Sequence, residues 1–225
     1  MTRVIAIRPE PGLAATLDAG RSLGLAMAGW PLFEIRACDW AAPDPAEVDG
    51  LLIGSANALR HCGQVLESLT HKPVFAVGET TADFARSAGL EVAMTGQGGL
   101  QKVLDTLAGQ QMRLLRLTGA DHVALVPPAG IELVTRVAYE SAALPMPDGL
   151  ARALAQAPVV LLHSGLAAHH LRSECDKRGI DRARISLAVL APRIALEAGE
   201  GWKRIVSAEK PRETALLALA RDMCH

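Results

Sequence analysis

Short apolar runs alternate with longer amphipathic stretches along most of the chain. The runs of strand length are Val4–Ile7, Leu51–Ile53, Val74–Val77, Met112–Leu117, Val159–Leu162, Ile185–Leu190 and Arg204–Val206. Most of them lead into a stretch of helical pattern, such as Pro9–Leu23 or the segment that ends near Leu69. This alternation indicates βαβ units and a parallel sheet, and largely apolar strands suit a sheet covered on both faces. The sequence therefore predicts an α/β fold.

Two stretches break this rhythm. Leu32–Trp40 and Leu133–Leu144 have β character, and both run into Pro-rich turns. We interpret them as a pair of connecting strands rather than as core strands of a sheet. If they pair, the segment between them, about residues 46–130, is a domain inserted into another domain.

These strands divide the chain into two lobes. We expect lobe 1 to contain residues 1–33 and 145–225, and lobe 2 to contain residues 34–144 with the connecting strands. A faint internal repeat supports two similar lobes, because Leu51–Leu59 resembles Val160–Ala168 about half a chain later. However, βαβ units also resemble one another for physical reasons alone.

Composition excludes several classes of function. The 225 residues include 23 Lys and Arg against 24 Asp and Glu, so the basic excess of a duplex-binding protein is missing. With 3% aromatic residues, a base-stacking platform is also not expected, and we predict no nucleic-acid partner.

No apolar run approaches the ~20 residues of a membrane span, and the first residues lack the apolar core of a signal peptide. We therefore expect a cytoplasmic protein without a membrane partner.

The turns after the strands are the best candidates for a binding site. In an open parallel sheet, ligands bind beyond the carboxyl ends of the strands, where helix N-termini offer unpaired N–H groups. The candidate binding residues in these turns are Arg8, Ser55, Asn57, Gly78, Thr80, Thr118, Gly119, Ser164 and Arg193. Capping alone is the simpler explanation of any single turn, since Ser, Thr and Asn are standard N-cap residues. The hypothesis depends on several such turns facing one cleft.

Motifs for cofactors and metals are missing from the sequence. Gly96–Gly99 fits neither G-x-G-x-x-G nor a Walker loop, and a tight turn explains it better. The four cysteines form no C-x-x-C, and the seven histidines have no ligand spacing. His163, at a strand end, is either a proton donor or a packed side chain. We predict no cofactor and no metal.

Several segments together resemble one known family. They are Ile7-Arg8-Pro9, Leu51–Asn57, Pro73–Gly78 with Thr80-Thr81-Ala82, Ala88-Gly89-Leu90, Gly98-Gly99-Leu100, Leu115–Gly119, Tyr139 and Ser164. In their order and spacing over nearly the whole length, they resemble the uroporphyrinogen-III synthase family. One departure is the turn Ala191-Pro192, where that family usually carries Ser or Thr. A hydroxyl proton donor at that turn is therefore in doubt.

The resemblance implies a fold and a reaction. The fold would consist of two Rossmann-like or flavodoxin-like lobes, joined by a two-stranded β connector, with a cleft between the lobes. The substrate would be hydroxymethylbilane, a linear tetrapyrrole with eight carboxylates. A cyclising lyase of haem biosynthesis would remove water from it and close it into uroporphyrinogen III, inverting the last ring through a spiro intermediate. No cofactor is implied, and we expect a monomer.

The resemblance also suggests roles for individual residues. Tyr139, the lone tyrosine, is the candidate general acid that assists loss of the hydroxyl group. The turns would hold the substrate carboxylates, helped by Arg8, Arg116 and Arg193, although an exposed Arg is normally solvated surface. The main alternative is a two-lobe α/β protein that binds a small polycarboxylate or another anion without catalysis. A nucleotide-dependent enzyme is a second alternative, against which the missing glycine motifs argue.

Overall fold

The structure is a computed structural model that describes residues 4–224. The outer limits of the predicted lobe ranges, residues 1 and 225, lie outside the described residues. The strands in chain order are β1 Val4–Ala6, β2 Met27–Gly29, β3 Phe33–Ala37, β4 Gly50–Ile53, β5 Val74–Val77, β6 Val92–Gly96, β7 Met112–Gly119, β8 Ile131–Ala143, β9 Val159–Leu162, β10 Ser186–Val189 and β11 Arg204–Ser207. The helices are α1 Gly12–Ser22, α2 Ala56–Arg60, α3 Glu79–Ser87, α4 Leu100–Thr106, α5 Asp148–Leu154, α6 Gly165–Lys177, α7 Pro192–Ala198 and α8 Glu213–Asp222. The predicted α/β class with parallel strands is confirmed.

The first of two compact units consists of the chain up to Glu34 and from Ala142 onward. Its five-stranded sheet has the order β11-β10-β9-β1-β2, and the neighbouring strands are parallel. Side chains alternate between the two faces, as the pleat requires. Ile5 and Ile7 pack with α5, α6 and α7 on one face, whereas Val4 and Ala6 pack with α1 and α8 on the other.

The second unit is the continuous segment Ile35–Ser141. Its six-stranded sheet has the order β3-β8-β7-β4-β5-β6, with parallel pairing from β8 to β6. Leu51 and Ile53 face a core that includes α2 and α3, and Leu52 faces the second core under α4. Both sheets are therefore covered on both faces, which explains why their strands are largely apolar.

The expectation that Leu133–Leu144 is not a core strand of a sheet is wrong. β8 lies inside the six-stranded sheet and pairs with β7 from Met112 opposite Ile131 to Gly119 opposite Tyr139. The partner of β8 on its other side, β3, is the edge strand. Polar side chains on β8 gave it the pattern of a connector, because a strand near the sheet edge needs fewer apolar positions than a central strand. Both β3 and β8 nevertheless cross the boundary between the two units.

Two helices differ from the sequence prediction. The helix expected up to Leu69 ends at Arg60, and a 3-10 segment, Gly63–Leu69, follows it. Gly63, with φ of +64°, begins this segment in a conformation that an α-helix cannot continue. α5 was not predicted, although it buries Leu150 and Leu154. The turn expected at Gly96–Gly99 is confirmed, since Gly98 and Gly99 both have positive φ.

Burial in the second unit gives a direct test of its core. Leu52 on β4 packs against α4 and is 0% exposed, whereas Leu196 on α7 is 83% exposed. We expect Leu52→Ala to lower the free energy of unfolding by about 2–5 kcal/mol, because it leaves a cavity. The same change at Leu196 should cost less than about 0.5 kcal/mol. Urea unfolding of both variants checks this, and equal effects at the two positions would contradict the assignment of Leu52 to the core.

Candidate functional site

A cavity of about 270 Å³ opens at the carboxyl edge of the six-stranded sheet. Residues at or just after the ends of β4, β5 and β7 form one side of it, namely Gly54, Ser55, Val77, Leu117 and Thr118. This is the edge at which an open parallel sheet binds ligands. A cavity therefore lies at the edge of this unit where the sequence predicts a binding site.

The rest of the cavity lining comes from α4, from the loop after β7 and from β8. Gly99 and Leu100 contribute the start of α4, and the loop contributes Asp121, His122, Val123 and Leu125. Tyr139 on β8 completes the lining. Polar groups thus stand among apolar walls, which is typical of sites that bind small molecules.

Arg116 is the buried charge of this cavity. It follows Leu114 by two residues on β7, so both side chains point to the face that α4 covers. Arg116 is only 4% exposed, and its Nη2 donates to the carbonyl oxygen of Val123 at 2.9 Å. Its Nε is buried and has no hydrogen-bond partner. Burial lowers the pKa of Arg116 below its ordinary value.

The loop over the cavity takes the place of a crossover helix. β7 and β8 are parallel neighbours, a connection that usually contains a helix, yet residues 120–130 are not helical. Pro127 and Pro128 explain this, because a proline removes a donor and clashes inside a helix. The side chain of Gln101 on α4 fastens the loop by accepting from the Val126 N–H at 2.9 Å and donating to the Val126 carbonyl at 2.8 Å.

Tyr139 is held in place by its close approach to Gly119. A Cβ atom at Gly119 would lie 2.8 Å from two atoms of the tyrosine ring, so any other residue there would force the ring to shift. The N–H of Ala120 donates to the Tyr139 carbonyl oxygen at 2.9 Å. Tyr139 is half-buried and also packs against the core under α2 and α3. Its ring is therefore a packed part of the cavity wall.

A separate cluster of charges lies in the first unit. Arg8, just after β1, donates from Nη1 to Glu213 at 3.2 Å and to the Thr16 hydroxyl at 3.3 Å. Thr16 donates to Glu213 at 2.7 Å, and His163 Nε2 lies 3.0 Å from the same carboxylate. Burial alone would raise the pKa of Glu213, but its hydrogen bond and charge contact with His163, aided by Thr16 and Arg8, lower it below the ordinary value.

A comparison with protein families identifies the chain. The family model described as Uroporphyrinogen-III synthase HemD matches residues 15–218. The chain belongs to the uroporphyrinogen-III synthase family. The resemblance seen in the sequence is thereby confirmed, and uroporphyrinogen-III synthases are cyclising lyases of tetrapyrrole biosynthesis that act on a tetrapyrrole.

Two solved synthases share the fold. A crystal structure of uroporphyrinogen-III synthetase from Helicobacter pylori 26695 has a TM-score of 0.66 and 18% identity, covering 99% of this chain and 100% of that one. A mutant uroporphyrinogen III synthase from the extremely thermophilic bacterium Thermus thermophilus has a TM-score of 0.53 and 16% identity, covering 100% of this chain and 99% of that one. At these identities the likeness concerns the fold alone. Among curated proteins, none matches the chain.

Only some of the predicted site residues in the second unit line its cavity. Ser55, Thr118 and Tyr139 line the cavity of the second unit. The remaining candidates of that unit, Asn57, Gly78, Thr80 and Gly119, do not line it. Ser55 also accepts from the Asn57 N–H at 3.2 Å, so it has the capping role that the alternative explanation foresaw. Asp121 and His122 were missed, although the Pro-Pro pair that excludes a helix after β7 was a usable signal.

In the first unit, the predicted residues have mostly structural partners. Arg8 is engaged by Glu213 and Thr16, and Ser164 caps α6 by accepting from the Ala167 N–H at 3.2 Å. Arg193 is exposed on the first turn of α7. Ala191, the N-cap of α7, makes no side-chain cap hydrogen bond. Glu213 was missed because nothing in the sequence links it to Arg8, far away at the other end of the chain.

Residues 4–224 contain no group of three or more His, Cys, Asp or Glu side chains that could hold a metal ion. Every helix in the same range is too short or too polar to cross a membrane.

The charge cluster in the first unit predicts a pH-dependent stability. Because the folded-state pKa of Glu213 is lowered, its contribution is complete above the ordinary value of 4.5 and is lost as pH falls through the folded-state value. At about pH 7, we expect Glu213→Gln to lower the free energy of unfolding by about 1–3 kcal/mol, since hydrogen bonds to a charged group are lost. This difference should narrow steadily as the pH is lowered.

Urea unfolding of both proteins over a pH series measures the effect. Glu79→Gln is the matched control, because Glu79 is exposed and lies 3.9 Å from Arg86. That surface change should cost less than about 1 kcal/mol at every pH. If Glu213→Gln lowers the free energy of unfolding by the same amount at every pH, an ionised Glu213 does not stabilise the fold through this cluster.

Proposed function

We propose that this chain converts hydroxymethylbilane into uroporphyrinogen III, with loss of water and inversion of the last pyrrole ring. The observation that carries the proposal is the match of residues 15–218 to the synthase family model. The cavity at the carboxyl edge of the second unit supports it, because it combines a buried cation, hydroxyl groups and apolar walls. A linear tetrapyrrole with eight carboxylates needs each of these three kinds of contact.

The reaction depends more on positioning than on a strong catalytic group. Loss of the substrate hydroxyl gives an azafulvene-type cation that reacts readily by itself. The enzyme must therefore hold the chain so that the uninverted closure is disfavoured. Correct positioning of reacting groups can supply ~7–11 kcal/mol. This demand agrees with a site built from many modest contacts.

We propose that turns in each unit hold the carboxylates. In the second unit these are the turns that carry Ser55, Asn57, Gly78, Thr80, Thr118 and Gly119. In the first unit they carry Arg8, Ser164 and Arg193. The support is their position after parallel strands, where backbone N–H groups and hydroxyls are available to anions. Arg8 would have to share its guanidinium with Glu213.

We propose Tyr139 as the general acid that protonates the departing hydroxyl. Its place in the cavity wall and the close approach of its ring to Gly119 support this role. We also propose a two-lobe enzyme in which β3 and β8 form the connector. Its support is that both strands cross the boundary between the compact units. Cofactor independence and a monomeric state complete the proposal.

The product isomer tests the function directly. Uncatalysed closure of hydroxymethylbilane should give mainly the uninverted isomer, because direct attack needs no rearrangement. Purified protein, dialysed to remove any bound small molecule, should divert the flux to isomer III. The product is oxidised to porphyrin and the isomers are separated by chromatography. An isomer ratio equal to that in buffer would leave a polycarboxylate-binding protein without catalysis as the better description.

The role of Tyr139 predicts a selective loss of turnover. Tyr139→Phe should lower kcat by roughly 10–1,000-fold while the fold is retained, because the phenol proton is lost and the ring stays. Ser87→Ala is the control, since it removes a hydroxyl from the exposed end of α3, away from the cavity, and should leave kcat unchanged. Steady-state kinetics and circular dichroism measure both. Unchanged turnover in Tyr139→Phe would point to water or the Thr80 hydroxyl as the proton source.

A further inference from the structure

Arg116 is a buried charge without a counter-charge. It is more than nine-tenths buried on β7, yet among the described residues none forms an ion pair with it. Its one hydrogen bond joins Nη2 to a neutral carbonyl oxygen, and Nε has no partner. Burying an unpaired charge is costly, so buried arginines normally have an anion beside them. The lowered pKa of Arg116 is caused by burial alone, which agrees with the lack of a nearby carboxylate.

The cavity beside Arg116 has room for an anion. Asp121 is the one carboxylate in the cavity lining, and it is exposed and makes no ion pair with Arg116. The hydroxyls of Ser55 and Thr118 also line the cavity. The Ser55 oxygen accepts a hydrogen bond from a backbone N–H, which leaves its own proton free to donate to a ligand. A guanidinium and hydroxyl donors are the groups that recognise a carboxylate.

The volume of the cavity limits what can enter it. About 270 Å³ lies below the ~300–1,000 Å³ of pockets that enclose a whole small-molecule ligand. A chain of four pyrrole rings cannot fit inside. A single acetate or propionate arm is small enough to enter, and the lining offers it the apolar side chains of Leu100 and Leu117 and the guanidinium of Arg116.

We propose that Arg116 and this cavity form a subsite for one carboxylate side arm of the substrate, in which the guanidinium supplies the counter-charge. This inference rests on the proposed function, because the arm belongs to the tetrapyrrole. Arg116 also donates a hydrogen bond to Val123 in the loop that lines the cavity. The same side chain would therefore bind the substrate arm and hold that loop in place. Val123 occupies one of the five guanidinium N–H groups, and Nε is buried, so the N–H groups of Nη1 and the second one of Nη2 are the donors that remain for the ligand.

A binding experiment tests the subsite without any turnover. The probe is sodium propionate, titrated into the full chain while the Nε–H signal of Arg116 is followed by nuclear magnetic resonance. Arg116→Lys identifies the signal by its loss. We expect a saturable shift with propionate and none with propionamide, which has the same shape without charge, or with sodium chloride at equal ionic strength. If the chemical shift of the Arg116 Nε–H does not change with propionate, or changes equally with propionamide, the proposal is overturned.

Steady-state kinetics provide a second test of the subsite. Arg116→Met should raise KM for hydroxymethylbilane by about tenfold to a hundredfold, because a hydrogen-bonded charge contact to the substrate is lost. Arg116→Lys should recover part of this loss, since it retains the charge. Gln101→Ala measures the contribution of the loop alone, because it releases the same loop from α4 without removing a charge, and it should raise KM at least about threefold less than Arg116→Met does.

The two failures are distinguishable. If the wild-type protein yields isomer III but Arg116→Met has the KM of Gln101→Ala, the synthase assignment stands and the subsite is wrong. If the wild-type protein does not change the isomer ratio, the proposed function fails, and the propionate titration still decides whether Arg116 binds carboxylates.

Discussion

Coverage of both sheet faces is the constraint on which the rest of this structure depends. Side chains on successive strand positions enter opposite cores, as Val4 and Ile5 do in one unit and Leu51 and Leu52 in the other. A polar group within such a strand would be buried on whichever face it pointed to. Functional groups therefore collect at or near the ends of the strands. The cavity of the second unit and the charge cluster of the first unit both lie at such ends.

Two arginines illustrate different solutions to this constraint. Arg8 emerges just after β1 and meets Glu213 and Thr16, so its charge is neutralised within the protein. Arg116 enters β7 before the strand ends, and it meets only a neutral carbonyl. The first arrangement stabilises the folded chain, and the second leaves electrostatic energy available to a ligand. Proteins commonly give up stability in this way where they bind substrate.

The sequence was informative wherever local pattern determined the structure. Apolar runs located the central strands, and turn residues such as Ser55 and Ser164 were found at helix starts. The pattern failed where partners came from elsewhere in the chain. The place of β8 in the sheet depends on β7 and β3, and the role of Glu213 depends on Arg8 and His163. Arg116 could be suspected from its position, but its missing counter-charge is a property of the folded environment.

The division of the first unit between the two ends of the chain has a consequence for synthesis on the ribosome. β1 pairs with β2 on one side and with β9 on the other, and β9 is translated only after the entire second unit. The continuous second unit can complete its sheet first, because domains fold as they emerge. In that interval, one edge of the apolar β1 has no neighbour to pair with, which is a hazard for association with other nascent chains. A strand that is wholly buried in the finished protein is thus the segment that most needs protection while the chain is being made.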